Sequence, residues 1–202
     1  MGKGETVLLV GESGSGKSTL LSLICGILVP NNGRVSVVGS DLSALSRAGR
    51  DTFRAEQIGV IFQQFNLLPF GTVTDNILLP LQFAPKRKSR SGDAKGQAEA
   101  LCRALGLPDR VLGARARTLS VGQQQRVAVA RALIGAPPLI VADEPTSSLD
   151  AGSQSAFLDL MFEQIAENGA SLLMVSHDAR LSQRFDRVVH MDDLLTAQRQ
   201  PA

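Results

Sequence analysis

The chain of 202 residues contains neither Trp nor Tyr, and its cysteines and histidines number two of each. Without Trp or Tyr, a broad ring for stacking on a planar ligand would have to come from Phe. Cys25 and Cys102 stand far apart, each inside an apolar helix-like stretch. That placement favours buried, reduced thiols over a disulfide and so a cytoplasmic setting. No charge of one sign dominates: 21 Lys and Arg against 19 Asp and Glu leave +2, too small a surplus to predict a nucleic-acid partner. Long apolar runs are also missing. "VLLV", "LIVA" and "SLLMV" are strand-length, well short of the roughly 20 residues that span a bilayer. "MGKGET" lacks the basic-then-apolar layout of a secretory leader. At 44% hydrophobic and 20% charged, the composition is that of a globular protein, of a length for one domain or a domain carrying a subdomain.

Strand and helix signals alternate. "ETVLLV" predicts a buried parallel strand, followed by a Gly-rich turn and the helix "STLLSLICGIL". "GRVSVVG" predicts a short antiparallel strand and "IGVIFQ" another strand. Three stretches then lean helical: "PFGTVTDNILLPLQFA", "AKGQAEALCRALGL" and "LSVGQQQRVAVARALIG". Strands return in "PLIVAD", "SLLMVS" and "RVVHM", with a helix over "SQSAFLDLMFEQIAENG" ending near Gly169. The basic run Lys86 to Arg90, between Pro85 and Gly92, reads as a solvated loop.

Chemistry enters at "GESGSGKST", an ungapped G-x-x-x-x-G-K-[ST] between a predicted strand and a predicted helix. Gly11, Gly14 and Gly16 let backbone N–H groups turn toward phosphate oxygens, with Ser13 and Ser15 between them. Lys17 is placed for the β and γ phosphates, Ser18 for Mg²⁺, and a helix running from Thr19 adds its positive end. The loop predicts nucleotide binding but does not separate kinase, GTPase and ATPase. "PLIVADEP" supplies two acids at a strand end, on a parallel strand expected next to that of the phosphate loop. Asp143 could reach a metal, directly or through water, and Glu144 could polarise an attacking water. His177, just past "SLLMVS", could contact the γ phosphate or orient the water. Ser120 could cap the helix beginning at Val121, whose free N–H groups and positive end would suit a phosphate, with Gly122 permitting close approach.

"GESGSGKST", "IFQQFNLLP", "LSVGQQQR", "LIVADEP", "SSLD" and "SH" occur in the order and approximate spacing of the ATP-binding subunits of ABC transporters, and the chain resembles that family over nearly its whole length. The run "FQQFNLLPFGTVTDNILLPL" is more narrowly similar to the group serving lipoprotein release, macrolide efflux and cell division. The resemblance implies an α/β fold: a RecA-like P-loop NTPase core with a parallel sheet, formed by residues 1–63 and 136–202, and an inserted helical subdomain, residues 64–135. It also implies ATP and Mg²⁺ as ligands and a head-to-tail dimer. In that dimer Ser120, Gly122 and Gln123 would serve the ATP of a second copy, and Asp150 would lie across the seam. Gln63 is similar to the residue that senses metal and nucleotide and links core to insert. The groove beside the insert would receive a short helix from a membrane permease, placing the subunit on the inner face of the membrane with no nucleic acid and no span of its own. A non-transport ABC ATPase of DNA repair or translation is the alternative; relatives of that kind usually carry two cassettes or a long coiled coil.

Two departures stand out. Family members commonly begin with additional strands and an adenine-stacking aromatic before the phosphate loop, whereas here "MGKGETVLLV" precedes Gly11, so the antiparallel part reads as truncated. Phe53, Phe62 and Phe65 are the candidate substitutes, although packing is the commoner fate of Phe. Val121 stands where the family usually has Gly.

Overall fold

The computed structural model describes residues 1–147 and 149–196. Its strands are β1 (Thr6–Val10), β2 (Ser36–Val37), β3 (Ser40–Asp41), β4 (Ile58–Ile61), β5 (Leu139–Asp143), β6 (Ser171–Ser176) and β7 (Arg187–His190). Five of them form one sheet in the order β4-β5-β6-β1-β7, every pair parallel. β2 and β3 make a separate antiparallel pair, as the alternation around Val37 predicts.

A parallel sheet needs cover on both faces because its connections pass over them. Side chains alternate across a strand, so neighbours in sequence enter different cores. Val7, Leu9, Val141, Leu173 and Val175 pack with Leu21 and Cys25 of the first helical segment, whereas Leu8, Val10, Ile140, Ala142, Leu172 and Met174 join the larger cluster on the other face. The helices are α1 (Lys17–Ile24), α2 (Arg47–Gln57), α3 (Val73–Leu78), α4 (Pro85–Ser91), α5 (Ala94–Ala104), α6 (Val121–Leu133), α7 (Ala151–Glu167) and α8 (Met191–Thr196). α3 to α6 all fall between β4 and β5 in sequence. α6 is buried over every position from Val127 to Leu133, as befits a helix apolar on most sides. Each Val or Leu so buried contributes on the order of 1.5–3 kcal/mol. Cys25 and Cys102 are free and buried, and burial pushes both thiols up to about 11.

Three expectations need correction. β5 is not the neighbour of β1, because β6 lies between them. α1 begins at Lys17 rather than Thr19, with Gly16 as its N-cap at φ +98°, a conformation glycine adopts without strain. α2, over a stretch whose one large apolar side chain is Phe53, is capped by Ser46, which accepts from the Gly49 N–H. Lys86 to Arg90 is helix rather than loop. Pro85 supplies a preset φ at the first turn, and the Glu56 carboxylate accepts the N–H groups of Lys86 and Arg87 at 2.9 and 2.7 Å.

That helix turns Arg87 inward to 1% exposure. Its guanidinium donates to the carbonyls of Ala55, Ile58, Arg131, Ala132 and Ile134, stapling the ends of α2 and α6 together. Burial pulls its pKa down to about 10, which leaves it charged at neutral pH. No helix among the described residues is long and apolar enough to cross a membrane.

Candidate functional site

Strand register assembles the site. Val10 is level with Ser176 across β1 and β6, and Asp143 is level with Val175 across β6 and β5. Since all three strands run the same way, their carboxyl ends deliver the loop from Gly11, the pair Asp143–Glu144 and the pair Ser176–His177 to one edge of the sheet. Ligands of open α/β sheets bind outside that edge. The intervening β6 does not separate the acids from the loop, because it ends in step with both.

A cavity of about 430 Å³ there is lined by Ser13, Gly14, Gly16, Lys17, Ser18, Thr19, Gln63, Asp143, Glu144 and His177. Ten residues named from sequence thus share one space. Lys17 is buried, and its Nζ donates to the carbonyls of Gly11 and Glu12 at 2.6 and 2.7 Å, which keeps the ammonium inside the curl of the loop. The hydroxyl of Ser15 is buried without a partner among the described residues. A β-carbon on Gly11 would stand 2.8 Å from Met191 Cβ and Ser15 Oγ, so that turn cannot accept a side chain. An unsatisfied buried hydroxyl, a buried ammonium and the first turn of an eight-residue helix together fit an anionic phosphate.

Asp143 is half-buried, and its pKa is raised by burial and by neighbouring Glu144, with Lys17 opposing. Glu144 sits in the left-handed region at φ +46°, a strained conformation for a residue with a side chain, and its N–H donates to the Val175 carbonyl at 3.0 Å. This brings its Oε2 to 2.8 Å from His177 Nδ1. Hydroxyl, carboxylate and amide oxygens from Ser18, Asp143 and Gln63 are hard donors of the sort Mg²⁺ accepts. Among the described residues no cluster of three or more His, Cys, Asp or Glu could hold a metal unaided, so the donor set fits a cation that phosphate oxygens and water also ligate.

Ser120, Gly122, Gln123 and Asp150 do not line this cavity. Ser120 caps α6, accepting the Gln123 N–H at 3.3 Å while Gln123 Oε1 accepts the Ser120 N–H at 3.0 Å. A β-carbon on Gly122 would meet nothing within 4 Å, so the helix start is open to approach. Asp150 caps α7, and hydrogen bonds from Ser153 hold its carboxyl below the usual range. Ser148 of "SSLD" lies outside the described residues. Of the candidate stackers, Phe65 is core, Phe53 is half-buried and Phe62 is exposed beside a larger groove.

Residues that sequence reasoning passed over tie α6 to the site. Gln125 is buried and donates to the carbonyl of Pro145, just beyond Glu144. Arg131 is buried too and donates to the carbonyls of Phe65 and Asn66, beyond Gln63. An arginine in the middle of "VAVARALI" was the available signal.

A parallel sheet with a phosphate loop after one strand and an acid pair after another defines a P-loop nucleoside triphosphatase. The sequence profile of the ABC transporter family matches residues 1–147, and the chain belongs to that family. It is 42% identical over 189 residues to the ABC transporter ATP-binding protein YbbA of Escherichia coli K12, which covers 94% of this chain and 81% of that one. To the lipoprotein-releasing ATP-binding protein LolD of Syntrophotalea carbinolica it is 42% identical over 190 residues, 94% of this chain and 82% of that. Its fold superposes on the dimeric ATP-binding cassette MJ0796, captured after hydrolysis with ADP and Pi, at a TM-score of 0.80 with 33% identity, covering 94% of this chain and 82% of that one. The chain is accordingly an ATP-binding ABC ATPase, of the group to which the sequence run around Gln63 pointed.

Proposed function

We propose that two copies close head to tail over two ATP molecules and that hydrolysis reopens them, driving a separate membrane permease. The observation that carries this is a division within the chain: Lys17, Ser18, Asp143, Glu144 and His177 line one cavity, while the capped, open helix start at Ser120, Gly122 and Gln123 lies outside it. A second copy would bring that start to the γ phosphate, with Asp150 at the seam. The MJ0796 cassette, also dimeric, supports the arrangement.

In this reading residues 1–63 and 136–202 form the nucleotide core and 64–135 the signature-bearing insert. Residues Gly11 to Thr19 cradle the phosphates with backbone N–H groups, and Lys17 exchanges its loop carbonyls for phosphate oxygens. Glu144 takes the proton of the attacking water, and His177 holds the carboxylate in place and steadies the γ phosphate. Ser18, Asp143 and Gln63 would hold Mg²⁺, which when bound neutralises charge on the β and γ phosphates. A groove of about 860 Å³ lined by Ile27, Phe62, Leu79, Pro80 and Phe83 among others is the docking place for the permease, at the inner face of the membrane.

The test is sedimentation of Glu144→Gln with MgATP. A nucleotide-dependent dimer is expected; a protein that stays monomeric even with its permease present would end the reading.

A further inference from the structure

We infer that Arg131 is a positioning residue for Gln63: its guanidinium fork clamps the loop that carries Gln63 to the same helix whose first turn carries Ser120, Gly122 and Gln123. The inference rests on the role proposed for Gln63 and adds the physical tie through which helix and loop move together.

The loop leaves β4 at Ile61, presents Gln63 to the cavity with Lys17 and Glu144, and then turns through Phe65 and Asn66. Both of these residues are left-handed, at φ +57° and +49°. Two such residues in succession, neither of them glycine, persist only where the surroundings over-determine them. Two constraints do so here. The Phe65 side chain is 8% exposed, within the core cluster that contains Val127 to Ala130, Ala132 and Leu133 of α6. The Arg131 Nη1 donates to the Asn66 carbonyl at 2.7 Å and Nη2 to the Phe65 carbonyl. Arg131 is itself 7% exposed and has no ion-pair partner among the described residues. Its buried charge is therefore met by those carbonyls, which makes the contact hard to give up.

A planar fork can hold two successive carbonyls at fixed separation, and a lysine ammonium cannot reproduce this. Along an α-helix Arg131 lies roughly 16 Å from Ser120, at 1.5 Å per residue, and the helix between them is continuous, buried at Gln125 and from Val127 onward. When a second copy's nucleotide draws on the first turn of α6, the other end of the rod carries the Phe65–Asn66 turn with it, and Gln63 is moved relative to Lys17 and Glu144. Without the fork, the strained turn relaxes and Gln63 is no longer placed when the dimer closes.

The experiment uses the whole chain with its permease. Turnover at saturating MgATP and ATP affinity are measured for wild type, Arg131→Lys, Gln63→Ala and the double variant, with a melting curve for each. Arg131→Lys is expected to lower kcat about tenfold or more while changing ATP affinity less than about threefold. In the Gln63→Ala background the same change should cost less than about twofold, because two residues acting as one unit are not additive. Asn66→Pro is the second variant, at an exposed position: proline's φ near −65° cannot match +49°. It should reproduce the non-additive loss if Arg131→Lys does not fold. Equal losses with and without Gln63, wild-type turnover in Arg131→Lys, or a loss that follows ATP affinity would each overturn the inference while leaving the head-to-tail ATPase standing. A wild type that neither pairs nor hydrolyses would bring down both.

Discussion

His177 Nδ1 stands 2.8 Å from Glu144 Oε2, the imidazole 67% exposed and the carboxylate 14%. The strained backbone at Glu144 points the carboxylate at a ring that can still reach an incoming phosphate. Glu144→Gln should lower phosphate release at saturating MgATP by about a hundredfold or more, the ordinary worth of a positioned base. His177→Ala should cost less than Glu144→Gln because it removes the orienting partner and leaves the base. Turnover of Glu144→Gln within tenfold of wild type would remove the carboxylate from the water-activating role.

Asp143 supplies a pH test. Burial makes its folded carboxyl hold a proton more tightly than the unfolded chain, whose ordinary value is 3.8. Ionisation therefore costs stability as pH rises above that value through the raised folded one, and the penalty is absent below it. Without nucleotide or magnesium, Asp143→Asn should melt above wild type near pH 7.5 and lose that advantage toward pH 4. Melting curves at the two pH values decide it, and an unchanged gap would show that the carboxyl is not desolvated.

Arg87→Met should destabilise the protein by about 3 kcal/mol, lowering the melting temperature by roughly 10 °C. The thioether fills much of the space but leaves the carbonyls of Ala55, Ile58, Arg131, Ala132 and Ile134 without their donor. A urea titration that matches wild type would mean that water replaces the guanidinium.

Gly59→Ala should be among the most damaging small changes. An added β-carbon would lie 2.2 Å from the Ala132 carbonyl oxygen and 2.7 Å from Ile140 Cδ1. Since the first of these is backbone, β4 and α6 must part, at a cost of about 3 kcal/mol or more. Soluble yield and the urea midpoint measure it, and normal values for both would show that α6 can move away freely.

With no Trp or Tyr in the chain and Phe65 in the core, base stacking has little to work with. Stacking is worth roughly 1–3 kcal/mol per base elsewhere. GTP should thus compete with ATP within about tenfold in a displacement titration. Binding a hundredfold selective for ATP would point to another means of reading the base.

Much of the site was legible in the sequence because its chemistry is local. The phosphate loop needs glycines, a lysine and a hydroxyl within nine consecutive residues, and Ser120 sits next to the helix it caps. The acids at the end of β5 follow a run of apolar residues that only a buried strand explains. The order of strands was not legible, since Asp143 and Lys17 meet whether β6 stands between their strands or elsewhere. Lys86 to Arg90 misled because Glu56, the carboxylate that caps its helix, is about thirty residues away in sequence.

By itself the sequence determined the alternation of strands and helices, the phosphate loop with its acid pair, and the two-faced core, all of which follow from neighbouring residues and period. Tertiary structure alone decided that Arg87 and Arg131 turn inward, that Phe65 and Asn66 take up left-handed turns, and that Glu144 faces His177. Each of these depends on a backbone carbonyl or a side chain distant along the chain, and hydropathy does not record which carbonyl a buried cation will find.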